Sequence, residues 1–103
     1  MAIMHATEDN FSSLINDEIV LVDFFATWCG PCKMLGPVLE DLENDREDVK
    51  IVKVDIDKCR SLAREYGVMS VPTMFLFKNG SVVSQKTGFM PKELITNWIN
   101  EER

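Results

Sequence analysis

The chain has 103 residues, a net charge of −6 at neutral pH and 46% apolar residues. That length leaves room for one domain with a single core, and the apolar share excludes a disordered chain. The acidic balance, without any basic patch, argues against nonspecific nucleic-acid binding, and no apolar stretch approaches membrane-spanning length.

The start, Met1-Ala2-Ile3-Met4-His5, lacks a basic region and a long apolar segment. No secretory signal is expected there, and a cytoplasmic location is the expectation. Residues 1–6 fit a short edge strand. Thr7 is placed to cap a helix with Phe11, Leu14 and Ile15 on one face. Ile19-Val20-Leu21-Val22, continuing through Asp23 to Phe24-Phe25-Ala26, is β-branched and aromatic and reads as a buried strand. Leu35, Val38, Leu39 and Leu42 then recur at i, i+3, i+4 and i+7, one face of a helix that Pro37 is expected to kink. The acidic stretch from Glu40 to Asp48 reads as a solvated helix end and loop. Residues 49–56 form a second strand, and strand, helix and strand at this spacing make a βαβ unit with parallel strands. Asp57 is placed to cap a third helix bearing Leu62, Ala63 and Tyr66 and ended by Gly67. Thr73 to Phe77 is a strand, Asn79-Gly80 a hairpin turn, and Ser81 to Thr87 the return strand. Pro91 opens a last helix, with Leu94, Ile95, Trp98 and Ile99 expected to face the core.

Where the buried strand turns into the long helix lies Trp28-Cys29-Gly30-Pro31-Cys32-Lys33. Pro31 suits the first helical position, and Gly30 permits a sharp turn. Cys29 then stands at or just before the helix N-terminus, among free N–H donors and the positive end of the dipole. A thiolate is the nucleophile in sulfur chemistry, and this position favours it. Cys29, on the exposed side of the turn, is the expected attacker. Cys32, within the first turn and more shielded, is near enough to close a Cys29–Cys32 disulfide. Such a dithiol attacks a substrate disulfide and is released from the mixed disulfide when the second thiol displaces the first.

The competing reading is a metal site, since Cys29, Cys32, Cys59 and His5 together make a Cys₃His set. No second Cys-X-X-Cys or histidine pair at ligand spacing accompanies them, so no metal is expected. Asp23 stands out because it interrupts a buried run. A carboxylate there is costly unless paired, protonated or solvated, so its pKa should be raised. It reads either as an edge position with water access or as a proton acceptor for Cys32. Lys53, amid Ile51, Val52 and Val54, is on its own an exposed edge residue. Cys59 reads as a small packing or capping residue, with a regulatory or dimer-forming thiol as the sharper alternative.

Val22-Asp23-Phe24 ahead of the six-residue cysteine stretch, then Val71-Pro72-Thr73, then Lys78-Asn79-Gly80, resembles the thioredoxin family, in the same order and over essentially the whole chain. The resemblance implies an α/β thioredoxin fold spanning residues 1–103, with a five-stranded mixed sheet and four helices on its two faces. It implies a protein-disulfide reductase without a cofactor, acting on disulfide-containing proteins and recycled by a thioredoxin reductase. A monomer is expected. Gly30-Pro31 between the cysteines resembles the reducing members. Asp23 matches the family's buried aspartate, and Lys53 becomes its partner. Pro72 matches a cis proline that faces the cysteines. Trp28, Gly30, Pro31, Val71, Pro72 and Gly88 would shape a shallow apolar groove where a substrate strand pairs with the backbone at Val71. Phe25, where many members carry tryptophan, and the bulky Phe89-Met90 depart from the commonest pattern. The rival readings are a thioredoxin-like binding module without turnover and a more oxidising isomerase.

Overall fold

The computed structural model describes residues 3–103, so the first two residues of the expected edge strand lie outside the described part. The elements follow in the order β1 (Met4–His5), α1 (Phe11–Leu14), β2 (Ile19–Phe25), α2 (Gly30–Asp45), β3 (Lys50–Asp55), α3 (Arg60–Glu65), β4 (Thr73–Lys78), β5 (Ser81–Thr87) and α4 (Lys92–Glu102). The strands make one five-stranded sheet in the order β1-β3-β2-β4-β5. β3 pairs parallel with both β1 and β2, as a βαβ unit requires, while β4 runs antiparallel to β2 and β5. The thioredoxin fold class expected from the sequence is therefore the one observed.

Strand alternation divides the core into two layers. Val20, Val22 and Phe24 point to one face, where Phe11 of α1 and Leu62 of α3 cover them. In that layer the rings of Phe11, Phe24, Tyr66, Phe75 and Phe77 pack with neighbouring centroids 5.4 to 6.5 Å apart. Leu21, Ile51, Met74 and Leu76 point to the other face, against Leu35, Leu39 and Leu42 of α2 and Ile95, Trp98 and Ile99 of α4. Asp23 lies between Leu21 and Phe25 on β2 and so shares the face covered by α2.

Local expectations fare unevenly. The Asn79-Gly80 turn has φ of +52° and +87°, the left-handed pair that a tight two-residue hairpin demands. Thr7 does not cap α1. The cap position is Asn10, and the two residues bond each other: Thr7 N donates to Asn10 Oδ1 at 2.7 Å and Asn10 N to Thr7 Oγ1 at 3.2 Å. Leu94 is 52% exposed rather than in the core, because three buried positions, Ile95, Trp98 and Ile99, already fill the inner face of α4. The acidic end of α2 is solvated as expected, and its exposed Asp41 and Asp45 both bind Lys92 Nζ and tie α2 to α4. α2 runs on both sides of Pro37.

Candidate active site

β2 ends at Phe25 and delivers the chain, through Ala26 to Trp28, onto the first turn of α2. Cys29 is the N-cap residue of that helix, with extended φ of −93° and ψ of 117°. Its Sγ accepts a hydrogen bond from the Cys32 N–H at 3.1 Å, one of the N–H groups that a helix start leaves without an intrahelical partner. Cys29 and Cys32 are joined in a disulfide with Cα atoms 5.2 Å apart, inside the range that bond allows. Gly30 takes ordinary helical geometry rather than a sharp left-handed turn. A Cβ there would meet nothing within 4 Å, so neither backbone strain nor close packing demands glycine at this position.

Exposure separates the two cysteines less than expected: Cys29 is 5% and Cys32 3% exposed. They differ in what they face. Cys29 lines a groove of about 460 Å³ together with Trp28, Gly30, Pro31, Ile56, Val68, Met69, Ser70 and Val71, and Cys32 does not. Trp28 is 66% exposed, its indole held by Nε1 donating to Asp57 Oδ2 at 2.9 Å. Asp57 therefore orients the tryptophan and does not cap α3, whose cap position is Cys59. Asp55 Oδ1 in turn accepts from the N–H groups of Asp57 and Lys58, which fixes the turn that presents Asp57.

The Val71–Pro72 peptide bond is cis. Cys29 Sγ lies 3.7 Å from the Val71 carbonyl oxygen, so this loop faces the disulfide. Val71 precedes β4 and, among the described residues, makes no hydrogen bond to another backbone group. Pro72 is buried and does not line the groove, and its carbonyl accepts from Gly88 N at 2.8 Å. Gly88, with φ of +96°, lies outside the residues that line the groove. Its place there is to hold the Pro72 loop, in a backbone conformation that disfavours a side chain.

With this geometry in view, the chain can be set beside known proteins. The thioredoxin family model matches residues 2–101. The chain is 48% identical over 102 residues to a thioredoxin of Bacillus subtilis (strain 168), covering 98% of each chain. It is 50% identical over 102 residues to a thioredoxin of Staphylococcus aureus, again with 98% of each covered. Among solved structures it is similar to a mutant thioredoxin from Halobacterium salinarum NRC-1, with a TM-score of 0.90, 32% identity, and coverage of 99% of this chain and 95% of that one.

The chain belongs to the thioredoxin family. Like thioredoxins generally, it is a thiol-disulfide oxidoreductase and reduces protein disulfides, and Cys29–Cys32 is its redox-active pair.

On β2 of this thioredoxin-family chain Asp23 is wholly buried, with neither carboxylate oxygen hydrogen-bonded among the described residues. Burial pushes its pKa up to about 6, and the nearby Lys53 charge pulls the other way. Lys53 is its register partner on β3, but the Lys53 amine sits over the Phe25 ring, 4.4 Å from the centroid. Cys59 is 2% exposed and packs in the α1/α3 layer, with Sγ 3.7 Å from the Ala6 carbonyl. Burial raises its thiol pKa, and the carboxylates of Glu8 and Asp55 add to that. His5 instead meets Phe25 edge-on, 6.3 Å between centroids. Among the described residues no three of His, Cys, Asp and Glu cluster as metal ligands. No helix among them is long and apolar enough to cross a membrane.

Ile56, Val68, Met69 and Ser70 as groove residues, and Asp57 as the holder of Trp28, are evident only in the folded chain. The groove walls come from three separated segments of chain, and no local pattern marks them. The one available signal was Asp57 itself, an acidic residue beside the strand end nearest the motif.

Proposed function

We propose that Cys29 is the attacking thiolate and Cys32 the resolving thiol. In the reduced protein, Cys29 attacks one sulfur of a substrate disulfide. A bond forms between Cys29 Sγ and that sulfur, and the other substrate sulfur leaves as a thiolate. Cys32 loses its proton to Asp23, directly or through one water, and attacks Cys29 Sγ. The Cys29–Cys32 disulfide closes, and the second substrate sulfur leaves. Two electrons have passed to the substrate, and the protein is left in the oxidised form described above. A thioredoxin reductase then returns the dithiol.

The observation that carries this reading is the placement of Cys29 Sγ at once on a helix N-terminus, on the groove and against the Val71 carbonyl. The helix start favours a thiolate there. The Val71 backbone, outside the sheet ladder, and the apolar groove suit an extended substrate segment, docked between Trp28, Gly30 and Pro31 on one side and the Val71–Pro72 loop, braced by Gly88, on the other. Lys53 tunes the proton affinity of Asp23 across the strand pair. The protein works as a monomeric single domain in the cytoplasm, where thiols are kept reduced.

Reduction of insulin disulfides, run with and without a thioredoxin reductase and its electron donor, tests the proposal. Catalytic turnover with the reductase, beyond one equivalent of substrate, is expected. A single turnover at most would leave a binding module, and efficient oxidation of reduced substrates in its place would mark an isomerase.

A further inference from the structure

Among the described residues, no charged side chain lines the groove beside Cys29. Its lining residues are mostly apolar, Trp28, Ile56, Val68 and Met69 among them, with Ser70 the one hydroxyl-bearing residue. The single polar atom of the Trp28 side chain is already engaged by Asp57, so the indole turns an apolar surface to any occupant. Among the described residues Met69 is the most exposed large apolar one, at 96%. It stands two residues before Val71, on the lip of the groove, and belongs to neither buried layer.

We infer that Met69 is a specificity-determining residue, selecting disulfide substrates that carry a large apolar, above all aromatic, side chain beside the attacked cysteine. The inference rests on the reading that substrate docks along this groove while Cys29 attacks. A volume of about 460 Å³ accepts an aromatic side chain. Bringing such a ring against Met69 removes apolar surface of both partners from water. The thioether also makes favourable contacts at ring edges, and its unbranched, freely rotating stem adapts to rings of different size. A charged neighbour of the substrate cysteine would lose its water in the same place and gain no partner, so it is rejected.

The test uses three disulfide-linked peptides identical except for Phe, Ser or Asp next to the attacked cysteine. Their kcat/KM values are measured with wild type, Met69→Ser and Met69→Leu. Both variants keep the fold because Met69 supports no buried layer. Wild type is expected to prefer the Phe peptide over the Ser peptide by about fivefold, with the Asp peptide slowest. Met69→Ser should bring the Phe-to-Ser ratio close to one, and Met69→Leu should retain most of it. Equal rates for the Phe and Ser peptides in wild type, or an undiminished ratio in Met69→Ser, overturn the assignment while leaving the reductase reading standing. If wild type reduces none of the three, the docking reading itself is overturned.

Discussion

Asp23 and Lys53 stand opposite each other in the parallel β2–β3 register, yet the lysine amine rests on the Phe25 ring and makes no ion pair with the carboxylate. The carboxylate thus feels burial fully and the lysine charge only through space, and its pKa settles at about 6. A direct pair would hold Asp23 ionised and make it a poor proton acceptor. Left without a hydrogen-bond partner, the group titrates close to neutral pH, where a general base is most effective.

This arrangement has a cost in stability that depends on pH. The folded protein keeps the Asp23 proton up to about pH 6, whereas an unfolded aspartate releases it near pH 4. Between those values the folded state binds more protons than the unfolded one, so stability falls as pH rises, by about 3 kcal/mol in all. Oxidised Asp23→Asn escapes that loss. It is expected to be more stable than wild type by up to about 3 kcal/mol at about pH 8, and to surrender most of that lead at about pH 4. Urea unfolding at the two pH values measures the difference. An equal lead at both would contradict the burial account. The same substitution is expected to slow disulfide reduction near neutral pH, since Cys32 loses its proton acceptor.

Lys53→Met removes the charge that lowers the Asp23 pKa while keeping an unbranched side chain over Phe25. The Asp23 carboxyl is then expected to titrate above its wild-type value of about 6. The carboxyl carbon shift of Asp23, followed by NMR through a pH titration of both proteins, reads this directly. A titration that stays put would show that Lys53 does not act on Asp23.

Much of this was legible in the sequence, and the reasons are local. The Asn79-Gly80 turn, the buried run of β2 and the apolar face of α2 each depend on residues within a few positions of one another. The interruption of that run by Asp23 pointed to a raised pKa, and burial supplies it. Expectations failed where a short-range rule met a long-range partner. Asp57 has the residue type and position of a helix cap, but an indole 29 residues earlier in the chain takes its carboxylate. Thr7 misses for a local reason: its hydroxyl and N–H bond Asn10 three residues on, one turn ahead of α1, and Asn10 takes the cap position. Leu94 fits the helical period, yet Ile95, Trp98 and Ile99 are the residues of α4 that the fold buries, and Leu94 is left exposed. The groove was half visible. Its cysteine side is contiguous in sequence, whereas Ile56, Val68, Met69 and Ser70 arrive there only through the fold.

Cys59 is expected to be a packing residue. It is 2% exposed, with its thiol pKa raised chiefly by burial, so little reactive thiolate is available at the surface. Cys59→Ser should leave disulfide reduction unchanged and cost about 1 kcal/mol, the added hydroxyl having the Ala6 carbonyl within reach. Peroxide treatment of both proteins, followed by non-reducing electrophoresis, should give no Cys59-dependent dimer. A dimer band in wild type that vanishes in the variant would make the thiol regulatory.

The central claim is the division of labour between the two cysteines, and trapping of the mixed disulfide tests it most directly. Cys32→Ser and Cys29→Ser, both reduced, are incubated with a disulfide-containing protein, and the adducts are identified by mass spectrometry. Cys32→Ser is expected to accumulate a covalent adduct through Cys29, because no thiol remains to displace the bound substrate. Cys29→Ser should form almost none, since Cys32 does not line the groove. Equal trapping by both variants, or trapping by Cys29→Ser alone, would contradict the assignment of Cys29 as the attacker.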